Sequence, residues 1–207
     1  MLWITSGILI SYLIGSIPTA YIFGRLFKGV DIRNFGSGNV GATNTYRVLG
    51  RAPAVIVLSL DALKGFASVI FIGDMLAPRI NAVSIETLRI ILGLSCICGH
   101  NWTLFLRFKG GKGVATTLGV LAGLSLKISG LKFILGLTIL SWFAVFSIFR
   151  IVSLASCCVA VCFPLYVFLF RQSSALKITS VILACFILLR HKSNLKKILQ
   201  GKEKKLF

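Results

Sequence analysis

Apolar residues in this chain come in long blocks, separated by short stretches that are basic, glycine-rich or both. The first block, Trp3 to Phe27, is about 25 residues long, enough as a helix to reach across a ~30 Å hydrocarbon core. Gly15-Ser-Ile-Pro18 interrupts it, and small residues beside a proline predict a kink or a close helix–helix approach. A second span is predicted from Pro53 to about Gly73, with proline tolerated at its first turn, and a third from about Glu86 to Leu106. Val114 to Leu126 reads as a fourth, short helix covering ~20 Å at ~1.5 Å per residue. That is less than a bilayer, so its start is expected below the membrane surface. Leu131 to Phe170 would extend ~60 Å as one helix and must instead turn near Arg150 into two spans. Ala175 to Leu189 is the last. The pattern predicts an all-α integral membrane protein with seven transmembrane helices, folded as a single polytopic domain over residues 1–207.

Composition and charge orient this bundle. Of the 207 residues 57% are hydrophobic, more than a soluble domain of this size usually carries, and the formal net charge is +18. The five acidic residues are Asp31, Asp61, Asp74, Glu86 and Glu203. The cations flank the apolar blocks, which favours anionic headgroups and anionic substrates over nucleic acid. No lysine or arginine precedes the first block, whereas Arg25, Lys28 and Arg33 follow it. A cleaved signal peptide is therefore not expected, and the N-terminus is placed outside. Sixteen basic residues then fall on the cytoplasmic side with the C-terminus, and six (Arg79, Arg89, Lys127, Lys132, Arg171 and Lys177) lie outside. The cysteines, Cys96, Cys98, Cys157, Cys158, Cys162 and Cys185, lie in or beside apolar blocks without metal-ligand spacing and read as small packing residues.

Three polar segments, about 31–51, 107–113 and 190–205, emerge on one cytoplasmic face in this topology. In the first, Ser37, Asn39, Thr43, Asn44 and Arg47 crowd among Gly36, Gly38 and Gly41, a dense donor set with one cation, suited to phosphate oxygens and hydroxyls. In the second, Gly110, Gly111 and Gly113 surround Lys112 just before the Val114 helix. Glycines free to take positive φ would turn their N–H groups inward, and with the lysine and the helix N-terminus they would cradle an anion. The spacing is not that of a nucleotide-binding P-loop. In the third, His191, Asn194 and Ile198 fall on one helical stripe, so His191 and Asn194 are expected together, in a basic tail that equally suits a membrane-surface anchor. Ser153 and Ser156 follow the Arg150 turn, where they could cap a helix or reach the site, capping being the commoner role. Asp61 and Lys64, at i and i+3 inside the second span, should pair on a face turned to protein or water, as a clamp or as site lining. His100 is expected to be buried and hydrogen-bonded. There is no cluster with metal-ligand spacing and no G-x-S-x-G elbow. Positioning and electrostatic stabilisation of an already activated substrate would have to supply most of the rate.

These segments, in this order, resemble the acyl-phosphate:glycerol-3-phosphate acyltransferase family of bacteria (PlsY), over nearly the whole chain. The likeness rests on Gly36-Ser-Gly-Asn-Val-Gly-Ala-Thr-Asn-Thr-Tyr-Arg47, on Gly99-His-Asn-Trp102 with Phe108-Lys-Gly-Gly-Lys-Gly-Val-Ala-Thr116, and on His191 and Asn194 with Gly201-Lys-Glu203. Asp61-Ala-Leu-Lys-Gly65 also fits, while Thr103 and Ser193 stand where the family commonly has proline and glutamate. The resemblance implies a seven-helix enzyme of the bacterial inner membrane, active on its cytoplasmic face. It would move a fatty acyl group from acyl phosphate to the 1-hydroxyl of glycerol 3-phosphate, giving lysophosphatidic acid and phosphate, the first acylation of phospholipid synthesis. Neither acyl-CoA nor acyl-carrier protein would be the direct donor, and no metal or cofactor is implied. The catalytic positions correspond to Ser37, Arg47, Lys112, His191 and Asn194. Substrate- or phosphate-binding positions correspond to Gly38, Asn39, Gly41, Thr43, Asn44, Gly110, Gly111, Gly113, Thr116, Ser153 and Glu203. The attacking hydroxyl would pass its proton either to His191 or to a substrate phosphate oxygen. A monomer is the working expectation. The rival from another class is a carrier or exchanger of phosphorylated metabolites gated by the same loops, although no internal repeat marks one.

Overall fold

The computed structural model describes residues 2–206, all of the regular structure among them being helical. Two compact units divide the chain after Leu124. In the first, α1 (Leu2–Ser16) and α2 (Thr19–Lys28) make one apolar span of 27 residues with a break at Ile17–Pro18. Proline disfavours helix at the preceding residue and lacks an N–H of its own, which puts the break there. Helix α1 packs along α6 (Ile85–Asn101). The approach is close because Gly15 lies against the Cys96 backbone and Gly99 against the Tyr12 carbonyl, where a Cβ on either glycine would collide. Of the two outcomes expected of the Gly15–Pro18 stretch, a kink or close packing, both are present.

The polar segment after α2 is more ordered than a loop. It holds a 3-10 turn at Ile32–Asn34 and a helix, α3 (Ala42–Leu49), which packs on α4 (Arg51–Ala67). A π-helical turn (Ser68–Ile72), α5 (Gly73–Leu76) and a 3-10 turn (Ala77–Arg79) prolong α4 into a 29-residue apolar span. The π turn has a partner across the bundle. Arg89 enters from α6, donates to the Val69 carbonyl at 2.6 Å and pairs with Asp74. Such an inserted side chain is a recognised cause of local rewinding. Arg89 is only 4% exposed, packed inside the bundle beside Asp74. After a 3-10 turn at Leu104–Leu106 and the glycine loop comes α7 (Val114–Ser125). Glycines again permit contact with α4: Gly65 lies on the Thr116 carbonyl and Gly119 on the Ala62 carbonyl.

The second unit contains α8 (Leu131–Phe149), α9 (Val152–Leu169), α10 (Ser174–Arg190) and α11 (Lys192–Leu199), with α9 packed against both α8 and α10. The α8–α9 turn falls at Arg150, in left-handed backbone (φ 57°). Leu140, Ile148 and Leu165 are each more than 60% exposed, the outward apolar surface that a lipid-facing helix requires. Helices α10 and α11 meet at a 63° bend. His191 sits at the bend, following the last residue of α10 and serving as the N-cap of α11, which carries Asn194 and Ile198.

Among the described residues five helices are long and apolar enough to cross a membrane, a sixth if the bent α10–α11 pair is one span, and α7 is a shorter apolar helix of 12 residues.

Candidate active site

In the first unit two polar motifs share one apolar seat. Ala20, Ile32, Val40, Val57 and Leu106 form a single buried cluster. Val40 belongs to the first motif and Leu106 to the turn before the glycine loop, so their burial, ~1.5–3 kcal/mol for each large side chain, docks the motifs side by side. Asn44 shapes the first motif from within. It is wholly buried; its Oδ1 accepts from the Ser37 N–H at 2.7 Å, and its Nδ2 donates to the carbonyls of Ile32 and Phe35, both at 3.1 Å. Ser37 is exposed between Gly36 and Gly38, whose φ values of 62° and 72° put them in left-handed backbone. Gly38, Asn39, Gly41, Thr43 and Arg47 are half-buried. Asp31 secures the start of the segment, accepting from the Arg33 N–H at 3.0 Å and pairing with its guanidinium at 2.6 Å. The side-chain hydrogen bond from Arg33, aided by the Arg25 charge, overcomes desolvation and holds the Asp31 carboxyl at about 2; the same bond raises Arg33.

The glycine loop departs from expectation in an informative way. Of its three glycines only Gly113 has positive φ (75°), while Arg107 (53°) and Phe108 (61°) take the left-handed conformation instead. Gly110 and Gly111 are required by proximity. A Cβ on Gly110 would enter the His100 carbonyl, and one on Gly111 would meet His100 Nε2 and the Val40 carbonyl. The Gly110 N–H donates to the Asn101 carbonyl at 3.2 Å and the Gly111 N–H to the His100 carbonyl at 3.0 Å. These two N–H groups hold the loop to the fold, so the groups left for the expected anion cradle are Lys112, which is half-buried, and the N-terminal turn of α7 behind Gly113. Thr116, in that turn, is fully buried.

The α1–α2 break belongs to this region, which the sequence reading missed. Residues 15–19 line a small cleft with Val40, His100, Thr103, Gly110 and Gly111. Thr103 Oγ1 donates to the Ser16 carbonyl at 2.5 Å, and the Tyr12 hydroxyl to the Trp102 carbonyl at 2.6 Å, binding the break to the end of α6. A proline among small residues inside a span is the available signal, and by itself it speaks to kinking and packing rather than to a site. Next to this cleft Asp61, 1% exposed, pairs with Lys64 at 2.8 Å, accepts from Thr19 Oγ1 at 2.7 Å and faces His100 Nδ1 at 3.6 Å. Lys64 also donates to the Ile17 carbonyl at 3.2 Å. The expected pair exists, bonded to both sides of the α1–α2 break, and His100 is buried as expected.

The remaining candidates form a separate constellation within the second unit. Glu203 Oε1 accepts from Asn194 Nδ2 at 2.5 Å and from Ser153 Oγ at 2.8 Å. The Leu206 N–H donates to the Arg150 carbonyl at 2.9 Å, folding the tail back to the start of α9. Capping is not what the serines do: Ile151 is the N-cap of α9 without a side-chain bond, and Ser156 donates back to the Val152 carbonyl at 2.8 Å. His191 is 3% exposed at the bend, with Nδ1 2.8 Å from the Ile187 carbonyl. A carbonyl only accepts, so the proton sits on Nδ1 and Nε2 is the basic nitrogen. Among the described residues no three His, Cys, Asp or Glu side chains are grouped to hold one metal ion, and none of the cysteines is in a disulfide.

Comparison with known proteins shows the family. The family model described as "Glycerol-3-phosphate acyltransferase" matches residues 5–201. Relatives of that same description come from Fusobacterium nucleatum (42% identical over 199 residues, covering 96% of this chain and 95% of the relative) and Staphylococcus aureus strain Newman (39% over 200 residues, 96% of each). Another, from Thermoanaerobacter sp. strain X514, is 41% identical over 198 residues, 96% of this chain and 93% of the relative. The crystal structure of PlsY (YgiH), an integral membrane glycerol 3-phosphate acyltransferase in its glycerol 3-phosphate form, superposes with a TM-score of 0.85 at 34% identity, covering 98% of this chain and 94% of that one. Its lysophosphatidic acid form gives 0.81 at 33% identity, with the same coverage. Motifs, helical architecture and similarity over nearly the full length converge: the chain belongs to the glycerol-3-phosphate acyltransferase family.

Proposed function

We infer that the protein is a membrane acyltransferase that acylates the 1-hydroxyl of glycerol 3-phosphate, with acyl phosphate as donor. The observation that supports this most is the docking of the Ser37–Arg47 segment beside the lysine–glycine loop at the head of α7, which gathers phosphate-binding chemistry without a nucleophile–base pair. Acyl phosphate suits such a site because it is a mixed anhydride with a good leaving group. The hydroxyl oxygen attacks the acyl carbon, the carbon–oxygen bond to phosphate breaks, and an ester and phosphate result; no covalent enzyme intermediate is needed. Lys112 and the α7 N-terminus stabilise the charge growing on the departing phosphate. Arg47 offers a planar fork for a second phosphate group, and Ser37 orients an oxygen. The roles of His191 and Asn194 rest on the family resemblance, and the hydroxyl proton goes to His191 Nε2 or to a substrate phosphate oxygen.

Topology follows from charge. With the N-terminus outside and α7 crossing as a short seventh span, the basic segment from Arg190 to Lys205 ends in the cytoplasm, as the positive-inside rule favours. The active face is then the cytoplasmic side of the bacterial inner membrane.

The deciding experiment is turnover in detergent. Purified protein should release phosphate from a synthetic acyl phosphate only when glycerol 3-phosphate is present, with lysophosphatidic acid as co-product. A carrier of phosphorylated metabolites has no turnover without a membrane, and efficient use of acyl-CoA would contradict the choice of donor.

A further inference from the structure

We propose that Asp61 and His100 form a positioning pair for the phosphate loop: Asp61 orients the His100 ring, and the ring supports Gly111 and through it Lys112. This rests on the reading of Lys112 as a phosphate-binding group.

The loop Gly110-Gly111-Lys112-Gly113 has one side chain beyond hydrogen, so its place is set by what its backbone lies on. That floor is largely His100. The His100 carbonyl accepts from the Gly111 N–H at 3.0 Å, and its ring nitrogen Nε2 occupies the space a Gly111 Cβ would need. The opposite ring nitrogen, Nδ1, faces Asp61 Oδ1 at 3.6 Å. A carboxylate only accepts, so it favours the tautomer with the proton on Nδ1 and turns Nε2 towards the loop. Asp61 is itself held firmly. Lys64 and Thr19 reach the same oxygen at 2.8 and 2.7 Å, and Lys64 also bonds the Ile17 carbonyl at 3.2 Å. One buried carboxylate thus joins α4, the α1–α2 break and α6 directly beneath the glycine loop. A clamp between helices would be complete with Lys64 alone. The added histidine, facing the carboxylate at one edge and the loop at the other, is what a support for the loop requires, much as outer groups orient metal-binding histidines. Neither residue need touch substrate: displacing the ring shifts Lys112, and misplacement of about 1 Å can cost on the order of a hundredfold in rate.

The test is steady-state kinetics of Asp61→Asn, His100→Ala and the double variant, purified in detergent, with inhibition by inorganic phosphate measured alongside. Each single variant should lower kcat at saturating substrates on the order of ten- to a hundredfold and weaken phosphate inhibition. The double variant should be no slower than His100→Ala, because the two residues act through one another. His100→Gln, which can restore a polar group near Gly111, should recover part of the loss. Ser95→Ala, which removes the 2.7 Å bond from Ser95 Oγ to the Ile8 carbonyl between α1 and α6, controls for stability and should leave kcat unchanged. If Asp61→Asn does not fold, the His100 variants decide. Near-native kcat and phosphate inhibition in His100→Ala, or losses that multiply in the double variant, overturn the proposal. Lys112→Ala separates the two levels. If it too keeps its kcat, the phosphate-loop reading itself fails; if it loses activity while the His100 variants do not, only the positioning pair is wrong.

Discussion

In the proposed reaction single side chains divide into those that would meet a phosphate and those that hold the former in place. On that reading Lys112→Ala removes the cation that faces the leaving phosphate and should lower kcat ~100- to 1000-fold. Arg47→Lys keeps the charge but loses the bidentate fork, and should also cost activity. Lys204→Ala, in an exposed part of the tail, should change little. Kinetics with both substrates varied check all three; native kcat in Lys112→Ala would reduce the glycine loop to a turn. Asn44 is of the second kind. Asn44→Ala would leave the Ser37 N–H without this acceptor and take one of two donors from the carbonyls of Ile32 and Phe35, which keep the N–H groups of Phe35 and Gly38, at ~1–3 kcal/mol in all. It should lower the melting temperature and expose residues 31–41 to protease, and an unchanged digestion pattern would speak against that role.

At the scale of elements, two segments depend on ion pairs in different ways. The 3-10 turn after α2 depends on Asp31, whose carboxyl is lowered in the folded state. A lowered carboxyl contributes stability that is fully present above its ordinary value of 3.8 and is lost as pH falls through about 2. Pepsin digestion across that window should show residues 31–41 opening as the solution is acidified, and Asp31→Asn should be equally open throughout. A window at neutral pH would mean that another group controls the turn. The π turn of the α4–α5 span depends on Arg89 instead. Arg89→Met keeps most of the volume but leaves the Val69 carbonyl without that donor, at a cost of ~1–3 kcal/mol. Thermal unfolding in detergent should register it, while kcat of the folded fraction stays native.

For the whole molecule, the decisive element is α7. If it crosses, Arg150, Ser153 and the tail emerge on the side of the glycine loop; if it turns back, they emerge on the other. The proposed topology has it crossing, which is what the distribution of basic residues favours. Reporter fusions after Gln200 should be cytoplasmic, and those near Ile80 and Ile128 external. A reporter at Ile128 on the cytoplasmic side would show that α7 does not span.

What the sequence determined by itself is what depends on neighbours along the chain. Apolar blocks of sufficient length gave the helices, including the short one at Val114. The i, i+3 spacing gave the Asp61–Lys64 pair, and the crowding of glycine with polar residues marked 36–47 and 110–113. Tertiary structure decided the rest, because the contacts involved join residues far apart in sequence. Gly110 and Gly111 are glycines because His100 and Val40 occupy their Cβ space, which no local reading of φ could show. Arg89 is internal because Val69 and Asp74 receive it. Ser153 meets a carboxylate 50 residues away rather than capping its own helix, and the α1–α2 break joins the cleft through bonds to Trp102 and Thr103. Periodicity tells a residue which face of its helix it occupies; which groups of other elements meet that face is settled only when the helices pack.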